Sequence, residues 1–343
     1  MNKSRNVLMD CMKIFATLGV FMGHYMNTFC EELVLNLRSN VLIRSLFGFL
    51  FMGDYCVVFF FVASGYLISY YWKEQKNTVK RIITYSIRLF VPTILIILAT
   101  AIVYYAISWL GDDSFNLYNI WGDIRNILFL SARGSGIYYG YQLWYIPVQV
   151  YGYAICSIIY AAIEFNTKKK KYILLIMAVL FLSLFDYSYA EIMLGVLCGS
   201  ICKEYEETIR KLFHNIYAIL LAVILLLVSP NIIAIWGSSF DYRDYLARYV
   251  AALVFAFILC ISSCRESSNA AIAMMSSYTF SVYLVHVLVL SIFKKIYNAY
   301  LNDNYLNGFW TIGILIITIL CSIVYKIISD KVVKFFLKKT CNA

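Results

Sequence analysis

The sequence predicts an all-α, polytopic integral membrane protein of about ten transmembrane helices, with both termini cytoplasmic. Three observations carry that prediction. The 343 residues are 62% hydrophobic and only 14% charged, more apolar than any soluble domain of this size. The apolar residues gather into ten segments, each roughly long enough for a ~30 Å hydrocarbon layer. Lys and Arg are also unevenly spread. With the N-terminus inside, nineteen of the 29 fall on inner pieces and eight on outer loops, while Lys13 and Arg88 lie within apolar segments. That asymmetry is what the positive-inside rule asks of this count.

The first segment, 7–29, is too long for a signal-peptide core and no small-residue cleavage site follows it, so it is read as retained. The second and third, 46–72 and 82–109, are separated by a basic inner piece holding Lys73, Lys76, Lys80 and Arg81. The fourth, 142–163, returns to the inside, where 168-KKKK-171 marks a short cytoplasmic loop. The fifth and sixth, 172–188 and 189–203, are short and joined tightly at 186-DYSY-189, which reads as a hairpin of short helices. The seventh and eighth, 215–236 and 246–264, follow Lys203, Arg210 and Lys211. The ninth and tenth, 272–293 and 308–329, precede a lysine-rich C-terminus. These segments consume nearly the whole chain, so residues 1–343 read as a single transmembrane domain.

The net charge of +10 is explained as a topology signal and an attraction to anionic membrane lipids, which leaves no need for a nucleic-acid partner. Most of the ten cysteines lie in apolar segments, where thiols behave as small hydrophobes. Cys198/Cys202 and Cys260/Cys264 have helical i, i+4 spacing, yet no histidine or carboxylate clusters with them, so no metal site is expected. The thirty tyrosines supply interfacial belts, and those in 138-YYGY-141 suit a sugar or polar acceptor.

Ionisable residues inside apolar segments are costly and usually mark a function. At 1.5 Å per residue, Lys13 lies ~9 Å above the inner boundary of the first helix and His24 ~25 Å above it. Arg88 sits ~9 Å from the inner side of the third helix, and Ser64 and Gly65 ~10–12 Å from the inner side of the second. Asp54 lies ~12 Å below the outer boundary, and His286 ~21 Å up the ninth helix. The inner layer therefore holds cations, Lys13 and Arg88, beside Ser64. The outer layer holds His24 and His286 near Asp54 and Glu191. Cations facing the cytoplasm suit an anionic cytosolic ligand, and a histidine near the outer side suits general-base chemistry.

Each of these residues has a second reading. Lys13 and Arg88 are long enough to snorkel to the inner interface. Asp10 is placed to pair with Lys13 three residues on. Ser64 lies in 62-VASGY-66, which is no Gly-x-Ser-x-Gly elbow, and small residues in membrane helices allow close packing. Either histidine also serves as a hydrogen-bonded packing residue.

Several pieces together resemble the acyltransferase-3 family of integral membrane acyltransferases. Asp10, Lys13 and His24 fit its first-helix pattern of Asp-x-x-Arg followed by Arg/Lys-x10-His, in the lysine variant. The segment 60-FFVASGYLI-68 is similar to its second-helix signature, 88-RLFVP-92 to the basic residue before a third-helix proline, and 143-LWYIP-147 to a later Leu-Trp-aromatic segment. The block 279-TFSVYLVH-286 resembles the family's closing motif. Five motifs in family order span residues 10 to 286. Three places depart: Tyr85 stands where members often have a first arginine, Gln149 where many have a fourth-helix glutamate, and Val57-Val58 precedes the double phenylalanine where polar or proline-containing residues are frequent.

The resemblance implies an acyl-CoA donor, acetyl-CoA first, entering from the cytoplasm, and an acceptor hydroxyl on a cell-surface or lipid-linked glycan. Lys13, Arg88 and Ser64 would meet the donor, and Trp144, Gln149 and His286 the acceptor. His24 would be the general base, with Asp54 or Glu191 orienting it. Direct transfer and an acyl-histidine relay both fit, in a multi-pass protein of a bacterial plasma membrane. With no fused esterase-like domain, the chain would act alone or hand its acyl group to a partner. Two rivals stay open. One is a transporter of a glycan or small anion, although the paired discontinuous helices of such proteins are not evident; the other is a membrane partner without enzymatic activity.

Overall fold

The computed structural model describes residues 7–30, 53–72, 78–108, 117–128, 143, 145–162, 176, 187–212, 217, 220–221, 223–225, 228, 253–256, 258, 269–300 and 308–341. Among them there is no strand. The helices are α1 (Val7–Phe29), α2 (Gly53–Trp72), α3 (Thr78–Ser108), α4 (Leu117–Leu128), α5 (Tyr145–Ala162), α6 (Tyr187–Glu204), α7 (Glu206–Leu212), α8 (Ala270–Tyr300) and α9 (Gly308–Cys341). Among the described residues, four stretches are long and apolar enough to cross a membrane: Val7–Phe29, Thr78–Ala106, Ala270–Tyr297 and Trp310–Thr340, with a shorter apolar helix at Cys56–Leu67. The predicted segments 172–188, 215–236 and 246–264 lie for the most part outside the described residues, as do positions 46–52 of the second segment and Trp144.

Local sequence explains the helix ends. The Asn269 side chain caps α8, its Oδ1 accepting from the amides of Ala271 at 3.0 Å and Ile272 at 3.3 Å, which satisfies two orphan donors of the first turn. Pro92 stands inside α3, where proline removes one intrahelical bond. Its own carbonyl is taken by the Tyr325 hydroxyl of α9, which ties α9 to the proline turn. The last helix runs 34 residues, about 51 Å at helical rise. That exceeds the hydrocarbon thickness, and beyond it the Lys326–Asp330 ion pair at 3.0 Å supports an exposed continuation.

The chain forms two compact units, residues 1–75 with 158–280 and residues 76–157 with 281–343. In the first, α2 packs on α1 and on α6. Gly65 and Gly199 allow the α2–α6 contact: a Cβ on Gly65 would fall 1.9 Å from the Val196 carbonyl oxygen, and one on Gly199 1.9 Å from that of Val62. Only hydrogen fits at either point, so the small residues of 62-VASGY-66 do serve close helix packing. Phe61 meets Gly195 and Tyr66 meets Gly199, so α2 and α6 run in the same direction. Phe59, fully buried, adds an edge-on contact with Phe255 at 5.4 Å between centroids.

In the second unit, α3 packs on α4 and α9. The Tyr151 hydroxyl of α5 bonds the Leu128 carbonyl at the end of α4. The C-terminal ends of α3 and α8 lie side by side, with Lys295 Nζ 5.0 Å from the centroid of the Tyr104 ring. The helix α4 is absent from the predicted segments, because twelve residues with Asp123 and Arg125 among them do not form an apolar run.

Candidate functional site

The first unit carries Lys13, His24, Asp54, Ser64 and Glu191. Asp10 on α1 is 2% exposed, accepts a hydrogen bond from Ser276 Oγ at 2.6 Å and faces Lys13 Nζ at 3.8 Å. A buried carboxylate needs such partners, so this cluster keys α1 to the start of α8. Lys13 and His24 are both half-buried. Eleven residues separate them, which puts them ~16 Å apart along the helix and about 20° apart around it. They share one face of α1.

The far end of that face meets the beginning of α2. A Cβ on Gly53 would lie 3.3 Å from Val20 Cα, so the position of Asp54 adjoins the α1 turn just before His24. Glu191 occupies the start of α6, one turn before Gly195, which packs on Phe61. Because α2 and α6 run together, Asp54 and Glu191 stand near the same ends of neighbouring helices. Ser64 is half-buried, one residue before the Gly65 contact.

At the other ends of α2 and α6, Tyr66, Lys203 and Glu206 form a knot. Lys203 pairs with Glu206, the Tyr66 hydroxyl donates to Glu206 Oε1 at 3.2 Å, and Lys203 Nζ lies 3.3 Å from that hydroxyl and 4.9 Å from the ring centroid. Charge, hydrogen bond and cation–π contact are combined there. Sequence reasoning placed Lys203 only among topology charges and did not see this cluster.

The second unit carries Arg88, Gln149 and His286. Gln149 Nε2 donates to the Tyr85 hydroxyl at 2.9 Å, and the Tyr85 ring stacks on Tyr153 with centroids 3.9 Å apart and planes 11° apart. Arg81 and Arg88 flank Tyr85 on the same face of α3, at i−4 and i+3, and both act electrostatically on Tyr153. Arg81 is buried and Arg88 exposed. Tyr145 packs edge-on against Tyr283, centroids 4.6 Å apart and planes at 86°. The Tyr283 ring lies 5.5 Å from that of buried His286. His286 Nδ1 meets the Tyr283 carbonyl, and since a carbonyl oxygen only accepts, Nδ1 carries a proton in that contact.

A seam of polar and aromatic groups thus runs from Arg81 through Tyr153, Tyr85 and Gln149, and from Tyr145 to His286. Arg81, Tyr145, Tyr153 and Tyr283 were not picked out from the sequence. The signal was present in the spacing: Tyr145, Gln149, Tyr153 and Ser157 follow at i, i+4, i+8 and i+12 on α5, a polar stripe in an apolar helix.

A family model described as an acyltransferase domain, acyltransferase-3, matches residues 6–327, nearly the whole chain and both units. No curated protein and no solved structure matches.

Proposed function

The chain belongs to the acyltransferase-3 family and is an acyltransferase, and on that premise we propose that it moves an acyl group, acetyl first, from cytosolic acyl-CoA to a hydroxyl of a cell-surface or lipid-linked glycan. The observation that carries this reading is the single face of α1 holding Lys13 and His24, ~16 Å apart. That span is comparable with an extended phosphopantetheine arm. A cation at one end meets donor phosphate while the imidazole at the other meets the acceptor.

His24 accepts the proton of the acceptor hydroxyl, the oxygen attacks the thioester carbonyl, and the coenzyme A thiolate leaves and takes up a proton. Asp54 or Glu191 orients the imidazole; both stand on helix starts near that level. The family resemblance further assigns Arg88 and Ser64 a role toward the donor, and Trp144, Gln149 and His286 a role toward the acceptor. The directions of the helices support the topology that this requires. The helices α2 and α6 run together, as second and sixth segments of an alternating chain should, and so do α3 and α8 as third and ninth. The protein then spans a bacterial plasma membrane with its termini inside.

His24→Ala tests the reading. In cells lacking the native protein, surface O-acylation should fall to background at equal expression, whereas His286→Ala should leave a measurable fraction. Full O-acylation by His24→Ala would end the proposal.

A further inference from the structure

The helix α9 turns one side to the protein and the other outward, and the outward side changes character partway along. Ile314, Thr318, Ser322, Ser329 and Val333 are buried, and on the same side the Tyr325 hydroxyl reaches the Pro92 carbonyl of α3. Turned the other way, Ile316, Leu320, Val324 and Ile327 are each more than half exposed. Lys331, Lys334 and Lys338 continue that side and are exposed as well. At helical spacing these seven outward positions fall within one ~80° sector. A bare row of isoleucine, leucine and valine belongs against hydrocarbon. The lysines that follow it in line do not.

We propose that Lys331, Lys334 and Lys338 form a binding site for an anionic phospholipid, its phosphate held by the ammonium groups and an acyl chain laid along Ile327, Val324 and Leu320. Contacts within the second unit set the level. At the start of α9, Trp310 packs edge-on against Phe293, centroids 6.2 Å apart. Beside Phe293, Lys294 is exposed and Lys295 rests over the Tyr104 ring, the mixture of aromatic and basic residues found at a membrane interface. The 21 residues from Trp310 to Lys331 make about 32 Å of helix, against a hydrocarbon layer of ~30 Å. The lysines therefore begin where the opposite headgroup layer begins. The helix α3 agrees: 12 residues separate Tyr104 from Pro92 and 15 separate Trp310 from Tyr325, so α3 and α9 run antiparallel at matched levels. Lys334 stands ~4.5 Å below Lys331 and Lys338 one turn further, and their flexible stems converge on one headgroup. The adjacent carboxylate, Asp330, is held by Lys326 at 3.0 Å. Charge also decides against a second copy of the chain, since two copies standing the same way up in a membrane would set lysine against lysine on this face. The site does not depend on which donor or acceptor the acyl transfer uses.

Native mass spectrometry of the full-length protein in mild detergent tests the proposal. The protein is titrated with phosphatidylglycerol and, separately, with phosphatidylcholine of the same chains, and the bound lipids are counted. Phosphatidylglycerol should bind severalfold more tightly, and the preference should shrink as salt is raised. Lys331→Gln, Lys334→Gln and Lys338→Gln together should weaken its first binding event by roughly tenfold, each basic side chain near an anionic surface contributing up to about fivefold. Lys331→Arg, Lys334→Arg and Lys338→Arg together should preserve it. Lys80→Gln, Lys211→Gln and Lys294→Gln remove the same charge from exposed positions elsewhere and should leave that lipid bound. An equal loss in this control makes the attraction a matter of net charge and overturns the proposal, as does a wild type that binds the two lipids alike. Should the α9 glutamine variant keep its lipid and lose coenzyme A instead, the lysines belong to the donor and the proposal fails. Glutamine is as good a helix former as lysine and the three side chains are exposed, so the fold survives the replacement.

Discussion

Lys13→Gln removes two things at once, and their sizes show how to separate them. Asp10 is 2% exposed and has Lys13 Nζ at 3.8 Å. Two unit charges at that distance attract by roughly 4 kcal/mol at an effective dielectric near 20, a gross figure that desolvation reduces. Breaking a sealed buried pair costs about 3–5 kcal/mol. The Lys13 side chain is 26% exposed, so water screens the pair and a loss of about 2 kcal/mol is the expectation. Asp10 keeps its bond from Ser276, charge-assisted and worth about 1.5–3 kcal/mol. The single variant should therefore melt several degrees lower and also show a raised KM for acyl-CoA. Asp10→Asn combined with Lys13→Gln removes both charges and leaves an amide oxygen that still accepts from Ser276. Its Tm should return close to that of the wild type while the donor KM stays raised. Thermal unfolding of detergent-purified protein, with donor titration on the same samples, reads both. A double variant as unstable as Lys13→Gln would refute the ion-pair argument. One with a wild-type KM would remove Lys13 from the donor site.

The remaining predictions concern packing and the α3–α5 seam. Gly65→Val or Gly199→Val must push a backbone carbonyl from a 1.9 Å approach to van der Waals distance, so each should destabilise by about 3 kcal/mol and lower the yield of folded protein. Ser64→Ala, one residue away, removes atoms instead of adding them and should cost far less, and equal behaviour of the two sites would contradict the close α2–α6 contact. Tyr85→Phe deprives the Gln149 amide of its acceptor and should cost about 1 kcal/mol. Combining it with Gln149→Leu should give less than the sum of the single effects, since the pair acts as a unit; strict additivity in thermal unfolding would speak against the hydrogen bond.

The helices that span were legible because a bilayer imposes length. The first segment was read as 7–29, which are the bounds of α1, and the third and fourth, 82–109 and 142–163, fall within a few residues of α3 and α5. Hydropathy found the apolar part of the last two and not the helix. The helix α8 runs on to Tyr300, past Lys294 and Lys295, and α9 continues to Cys341, because backbone hydrogen bonds persist where lipid ends. The helix α4 was missed for the converse reason. It is short and amphipathic, and its signal lies in which residues share a face rather than in their sum.

Of the candidate residues, the Asp10–Lys13 pair was legible from i, i+3 spacing, and the packing role of the Ser-Gly pair from residue size. The tie from Asp10 to Ser276 joins residues 266 apart in sequence, and no local pattern encodes it. The same holds for the Tyr66–Lys203–Glu206 knot. In both cases one partner was visible as a charge and the other only as an ordinary Ser or Tyr.

Two of the departures from the family pattern meet in one contact. Tyr85 replaces a frequent arginine and Gln149 a frequent glutamate, and the two side chains are bonded to each other at 2.9 Å. Replacing either alone would leave a charge in the bilayer interior without its partner, at a cost of about 3–5 kcal/mol. An arginine and a glutamate at these two positions would be placed to pair as ions; Tyr85 and Gln149 make a neutral hydrogen bond instead, worth about 1 kcal/mol, which joins α3 and α5 at this point. Two absent charges that offset each other are therefore weak evidence against acyl transfer here. What changes is the field in the seam. With Tyr85 neutral, Arg81 and Arg88 act on the stacked Tyr153 without a third cation between them.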